Sequence, residues 1–169
     1  MMTNDFAGVL IGVVTDRDDP QQEGRIQVRF PTFPDSLGSF WAPIANPMAG
    51  GDRGFRFSPE IGDECLVSFD RGNPDHPFIV GFTHNGADKP PTADPQERVI
   101  ASVNGHQIVF HDPDPAQGDK GRLLIKDAHG SAIEMTNGHV AVNVLGHLDI
   151  RADVLTLNGR PVNPGTGTV

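Results

Sequence analysis

SAIEMTNG, HVAVNVLG and HLDIRADV follow one another over residues 131–154, with Gly130, Gly138 and Gly146 eight residues apart at the junctions. In the middle octad Val140, Val142 and Val144 alternate with Ala141 and Asn143, the period-two pattern of a strand with one apolar face. The third octad continues the pattern, with Leu148 and Ile150 on the apolar side and Asp149 and Arg151 opposite, before a looser run supplies Val154, Leu155 and Leu157. The first octad, read in the same phase, adds Ile133 and Met135. Each such side chain gains about 1.5–3 kcal/mol when fully buried, yet a few short strands from one chain enclose no interior. The repeat therefore predicts closed rotational symmetry, in which identical chains wind about one axis and cover one another's apolar faces. Short strands with glycine corners suit a triangular prism of three chains, with Ile133, Met135, Val140, Val142, Val144, Leu148 and Ile150 pointing inward as the trimer core.

Upstream of the repeat, Val99–Val103, Gln107–Phe110 and Leu123–Lys126 read as strands, with turns at Asn104-Gly105 and over residues 112–121. Residues 85–97, NGADKPPTADPQE, contain three prolines and no large apolar side chain, and read as a linker. Before the linker come five strand-like runs, Phe6–Thr15, Arg25–Phe30, Phe40–Asn46, Glu64–Phe69 and Phe78–Thr83, separated by Gly, Pro and Asp clusters. Ile26, Val28 and Phe30 alternate with Arg25, Gln27 and Arg29, again a half-buried strand. The connections Asp16–Pro20 and Met48–Gly54 read as surface turns, the first with carboxylates able to cap local N–H groups. Five short strands over a small core predict a compact Greek-key barrel of the OB type. The expected organisation is thus an all-β chain: a five-stranded OB-fold barrel at 1–84, a linker at 85–97, an intertwined trimeric β-helix or β-prism at 98–160 and a terminal segment at 161–169.

Composition agrees with short strands and turns. Gly (20) and Pro (15) are frequent, and long Ala/Leu/Glu/Lys runs are missing, so little helix is expected. Thirteen Lys and Arg against 22 Asp and Glu leave a formal charge of −9, a field that repels phosphate backbones and anionic headgroups. Nucleic acid is accordingly excluded as an expected partner. The one cysteine, Cys65, lies in the apolar alternation 65–69 and reads as a buried free thiol. The longest apolar run, Phe6 to Val14, has no basic residue before it and is about half the length of a membrane-spanning helix. No signal peptide or anchor is expected.

At the level of motifs the first 88 residues resemble a known family. EGRIQVRFP (23–31), SFWAPIA (39–45), MAGGDRG (48–54), PEIGDECLVSF (59–69), GNPDHPFIVG (72–81) and NGAD (85–88) resemble, in order, the OB domain of contractile-tail spike proteins. That family includes the phage baseplate assembly protein V and the VgrG proteins of type VI secretion, and the octads are similar to its β-helical needle. The resemblance implies a homotrimeric, non-enzymatic spike at the centre of a baseplate, made in the cytoplasm and driven into the target envelope on contraction, touching its membrane only transiently. Family members sit beneath a hub, and many carry a PAAR-type tip protein. VgrG proteins bear a hub-like region before the OB domain, which is not found ahead of Phe6, so the hub is expected as a separate polypeptide. Some phage-type members end in an apex where His-X-His motifs from three chains hold iron. No such motif occurs here, and residues 158–169 contain no histidine, cysteine or carboxylate side chain. A blunt end that docks a tip protein through Pro161, Val162 and Val169 is therefore expected.

Other chemistry is not expected. Of seven histidines, His139 and His147 each precede an inward residue, so alternation points them outward, and no metal or other cofactor is assigned. No Ser lies in a Gly-X-Ser-X-Gly elbow, and Asp16, Asp18 and Asp19 lack the register of a calcium loop. Asp112 and Asp114 lie in a Pro-punctuated turn with no partner placed to make either a general acid. Relatives with a lysozyme insertion carry a whole domain where this chain has residues 85–97, so no hydrolase is expected. The alternative function is an OB-type module that binds oligonucleotide or glycan and oligomerises through a β-structured tail. Against nucleic acid stand the single tryptophan, Trp41, and the absence of tyrosine.

Overall fold

The computed structural model of the protein describes residues 8–33, 38–114, 116 and 118–162. The chain divides into two compact units, Met1–Pro90 and Pro91–Val169. Both are built from β-strands, and no α-helix occurs among the described residues.

The first unit contains β1 (Val9–Asp16), β2 (Ile26–Arg29), β3 (Phe40–Ala42), β4 (Ala49–Gly50), β5 (Arg53–Gly54), β6 (Glu64–Phe69) and β7 (Pro77–Phe82). Five of these strands form one antiparallel sheet in the order β3-β2-β1-β6-β7. The sheet curls until its two edges meet: Ile44, just after β3, makes a parallel bridge with Ile79 of β7. There Ile79 donates its N–H to the Pro43 carbonyl at 2.9 Å, and Ala45 donates to the Ile79 carbonyl at 2.8 Å. This closure is the mark of an OB-type barrel, as expected from the five strand-like runs. The short β4–β5 hairpin lies within the Gly-rich connection read as a surface turn.

Alternation fills the interior. Val14, Ile26, Val28, Phe30, Ala42, Cys65, Val67, Phe69 and Ile79 are buried together, and Phe30 packs its ring against Phe33, Phe40 and Phe69 at centroid distances of 5.9, 5.6 and 5.8 Å. Gly12 on β1 lets the core approach closely: a Cβ there would stand 3.2 Å from both Cys65 Sγ and Val67 Cγ2, which would have to give by a few tenths of an ångström. Burial pushes the Cys65 thiol up to about 11.

The β1–β2 connection is held by two aspartates. Asp16 Oδ1 accepts the N–H groups of Arg17 and Asp18, and the Asp19 carboxylate accepts those of Gln21, Glu23 and Arg25. Arg25 also grips Asp19 through two guanidinium nitrogens at 3.2 and 2.8 Å, which holds the Asp19 carboxyl well below the usual carboxylate range. These carboxylates build a turn, the role read from the sequence.

The second unit contains β8 (Glu97–Ala101), β9 (Gln107–His111), β10 (Arg122–Lys126), β11 (Ala132–Thr136), β12 (His139–Asn143), β13 (Thr156–Leu157) and β14 (Arg160–Pro161). Strands β8 to β12 form an up-and-down meander, each strand antiparallel to the next. The first two octads of the repeat are the two arms of one hairpin, β11 and β12. Their junction, Asn137-Gly138, takes φ values of 43° and 82°, a two-residue turn with both residues left-handed. Gly138 therefore reverses the chain where the repeat suggested a corner. The third octad, 147–154, contains no strand, so the octads are not structurally equivalent. Further on, Asn158-Gly159 repeats the left-handed pair, at 50° and 73°, between β13 and β14.

Candidate functional site

The functional surface is one face of the β8–β12 meander. Cross-strand register sets Arg98, Phe110, Leu123, Met135 and Val140 in one row and Ile100, Ile108, Ile125, Ile133 and Val142 in the next. Only Arg98 interrupts an apolar surface that crosses all five strands. Within one chain this surface is open: Ile100, Phe110, Ile125, Ile133, Met135, Val140 and Val142 are between 38% (Ile133) and 60% (Val140) exposed. At one margin a depression lined by Phe110, Leu123, Met135 and Val140 extends to Lys120 and Asn137.

The other face carries the polar residues. Glu97, His111, Arg122, Thr136 and His139 form one of its rows, and Ala101, Gln107, Lys126, Ala132 and Asn143 another. Between them run Val99, Val109, Leu124, Glu134 and Ala141, of which only Val109 is buried. One side of the sheet thus has polar outer rows flanking a largely apolar central row, and the other is an apolar surface that stands largely exposed among the described residues.

Of the residues read from the repeat as a trimer core, Ile133, Met135, Val140 and Val142 lie together on the apolar face as two directly opposed pairs. Val144, Leu148 and Ile150 follow the end of β12 and belong to no strand; Leu148 and Ile150 are more than half exposed. Pro161 ends β14, and Val162 donates its N–H to the Leu155 carbonyl at 2.7 Å. Val169 lies outside the described residues. The repeat did not reveal that Ile100, Ile108, Phe110, Leu123 and Ile125 share this face. Their alternation was visible strand by strand, but their common side depends on register across the 112–121 connection.

The barrel offers a smaller outer patch. Val9 and Phe78 stand on either side of Ser68 in one row, with Ile11 in the next, and all three apolar side chains are exposed. Trp41 is partly buried, and the Arg25 guanidinium lies 6.0 Å from its ring centre. No helix among the described residues is long and apolar enough to cross a membrane, which says nothing about membrane β-barrels.

Comparison with known proteins bears on the barrel. Residues 10–84 match the type VI secretion system/phage-baseplate injector OB domain. The chain is 30% identical over 88 residues to the type VI secretion system spike protein VgrG2a of Pseudomonas aeruginosa, a match covering 50% of this chain and 10% of that protein. It is 35% identical over 92 residues to the actin cross-linking toxin VgrG1 of Vibrio cholerae, covering 51% of this chain and 8% of the toxin. With VgrG5 of P. aeruginosa, identity is 30% over 115 residues, 64% of this chain and 14% of that spike protein. The matched region therefore spans about a tenth of the length of these relatives. The barrel at residues 10–84 is a type VI secretion system/phage-baseplate injector OB domain, and over about half of its length the chain is similar to VgrG spike proteins of type VI secretion.

Proposed function

We propose that three copies of this chain assemble into the central spike of a contractile injection machine, a phage-tail baseplate or a type VI-like apparatus, and that the spike punctures the target envelope. The observation that carries this reading is the uncovered apolar face of β8–β12. At about 25 cal/mol per Å² of apolar surface removed from water, covering such a face is a strong drive to associate. Threefold closure lets one kind of surface cover another copy of itself while the polar rows face solvent. The role is mechanical and needs no catalysis or cofactor.

In this assembly Ile133, Met135, Val140 and Val142, joined by the facing residues of β8–β10, form the wall of a needle beginning near residue 98, with Val144, Leu148 and Ile150 continuing the core. A hub protein covers the barrel, where the exposed Val9, Ile11 and Phe78 favour a protein contact. A PAAR-type tip protein docks at the far end through Pro161, Val162 and Val169. The spike is assembled in the cytoplasm and meets the target membrane only at contraction. Light scattering on the eluting full-length protein tests the reading: a mass three times the chain's 18.1 kDa is expected. A soluble, folded species of one chain at micromolar concentration rejects it.

A further inference from the structure

We propose that Asp94, Glu97 and His111 form a binding site for a divalent transition-metal ion of the zinc class, fastening the turn before β8 to the end of β9. One donor atom from each of the three lies within 4.8 Å of the other two. Glu97 opens β8 and His111 closes β9, directly opposite each other in the ladder. Asp94 is presented by a fixed turn: its Oδ1 accepts the Gln96 N–H at 2.9 Å, and its carbonyl accepts that of Glu97 at 3.1 Å. Asp112 in turn donates its N–H to the Gln96 carbonyl at 2.9 Å, tying the turn to the residue after His111.

His111 supplies the independent observation. Its Nδ1 is shielded from solvent and has no hydrogen-bond partner, the one such side-chain atom among the described residues. A buried ring nitrogen without a partner is a costly arrangement unless something occupies the space before it. Glu97 Oε1 lies 3.9 Å from Nδ1, beyond the 2.7–3.2 Å of an N–H···O bond. That gap suits two donors on one ion, each about 2.0–2.2 Å from it. Imidazole with two carboxylates is a donor set for zinc, manganese or cobalt, and its two negative charges balance a dication. Asp119, held by Asn137 and the Gly121 N–H, adds negative charge near the imidazole. Of the nearby cations, Arg122 stands across from His111 on β10 and has Glu134 within 3.9 Å, and Arg98 donates to the Gln96 carbonyl and to the Asp112 carboxylate, each at 3.0 Å. Because β8 is an edge strand paired only with β9, an ion here secures a strand that is laddered on one side alone.

The site lies within one chain, so its test does not depend on the trimer. Full-length protein stripped with a chelator is dialysed against Zn(II), and separately against Co(II) with the visible spectrum recorded. One ion per chain is expected, with cobalt bands of nitrogen and oxygen ligation. His111→Gln and Glu97→Gln should each weaken binding about tenfold or more, as should Asp94→Asn on its exposed turn. His139→Gln, in the same polar row, should leave affinity unchanged, and circular dichroism checks that each variant is folded. Less than one ion per chain at about millimolar metal, full affinity in folded His111→Gln, or an equal loss in His139→Gln overturns the proposal.

Discussion

Cys65 and Asp19 show how single side chains report on the barrel. The Cys65 thiol is fully buried under the β1–β6 seam, and burial lifts it to about 11, so almost none is thiolate at neutral pH. We expect no reaction with an aromatic disulfide reagent in the native protein and one thiol per chain after denaturation; rapid native labelling would show that the barrel opens at this seam. Asp19 behaves in the opposite sense, because Arg25 and three backbone N–H groups favour its ionised form. Its folded-state value lies below the unfolded one, about 3.9. The stability it contributes is therefore complete above that value and is lost as pH falls through the folded-state value. Asp19→Asn should melt at a lower temperature than the parent at pH 7, and the difference should shrink as pH falls from 4 towards 2. A difference in Tm that stays constant over that range would show that the turn does not depend on the carboxylate's charge.

The hairpins show what the sequence can specify at the scale of an element. A Cβ on Gly138 would meet nothing within 4 Å, so any loss on substitution there is conformational and not steric. Gly138→Val should cost about 1–2 kcal/mol and Gly138→Asn distinctly less, because asparagine tolerates the left-handed region. Thermal melts of the two variants check the order; equal melting points would mean that the β11–β12 turn is not held at positive φ. The Asn-Gly pair was visible in the sequence, but the eight-residue spacing of glycines directed the reading towards equivalent corners. Faces are legible because alternation is local: the period alone separates Val140 and Val142 on one side of β12 from Ala141 and Asn143 on the other. Register is not, since the rows linking Ile100, Ile108 and Ile125 to Ile133 are set by pairing between segments far apart in the chain. The barrel divides in the same way. Ile26, Val28 and Phe30 could be assigned inward from their period, whereas the Ile44–Ile79 bridge that closes the sheet leaves no mark in either segment. The metal triad was hidden for the same reason, because His111 meets Glu97 only once β8 and β9 are paired.

For the whole molecule the decisive question is what covers the apolar face, and Val142 can answer it. In the single chain this side chain is 52% exposed, so Val142→Asp leaves the isolated meander little changed, and surface substitutions of this kind usually alter stability by no more than about 0.5 kcal/mol. In a threefold needle the same change places three carboxylates around one axis away from water, at a cost on the order of several kcal/mol per unpaired charge. The two situations separate in measured mass. We expect the parent to run as a trimer that resists detergent until heated, since interwound chains separate slowly, and Val142→Asp to run as a folded monomer or to be lost as aggregate. Asn143→Asp introduces the same carboxylate one residue away on the polar face and should keep the trimer. If both variants retain the parent's mass and detergent resistance, Val142 does not face a partner chain, and the spike needs another register. Titration with single-stranded DNA adds an independent arm. Trp41 is the only tryptophan, and Arg25 lies beside its ring, so its fluorescence should not change on a barrel whose chain carries a formal charge of −9. Saturable quenching at physiological salt, combined with a mass unaffected by Val142→Asp, would favour a nucleic-acid-binding module over a spike.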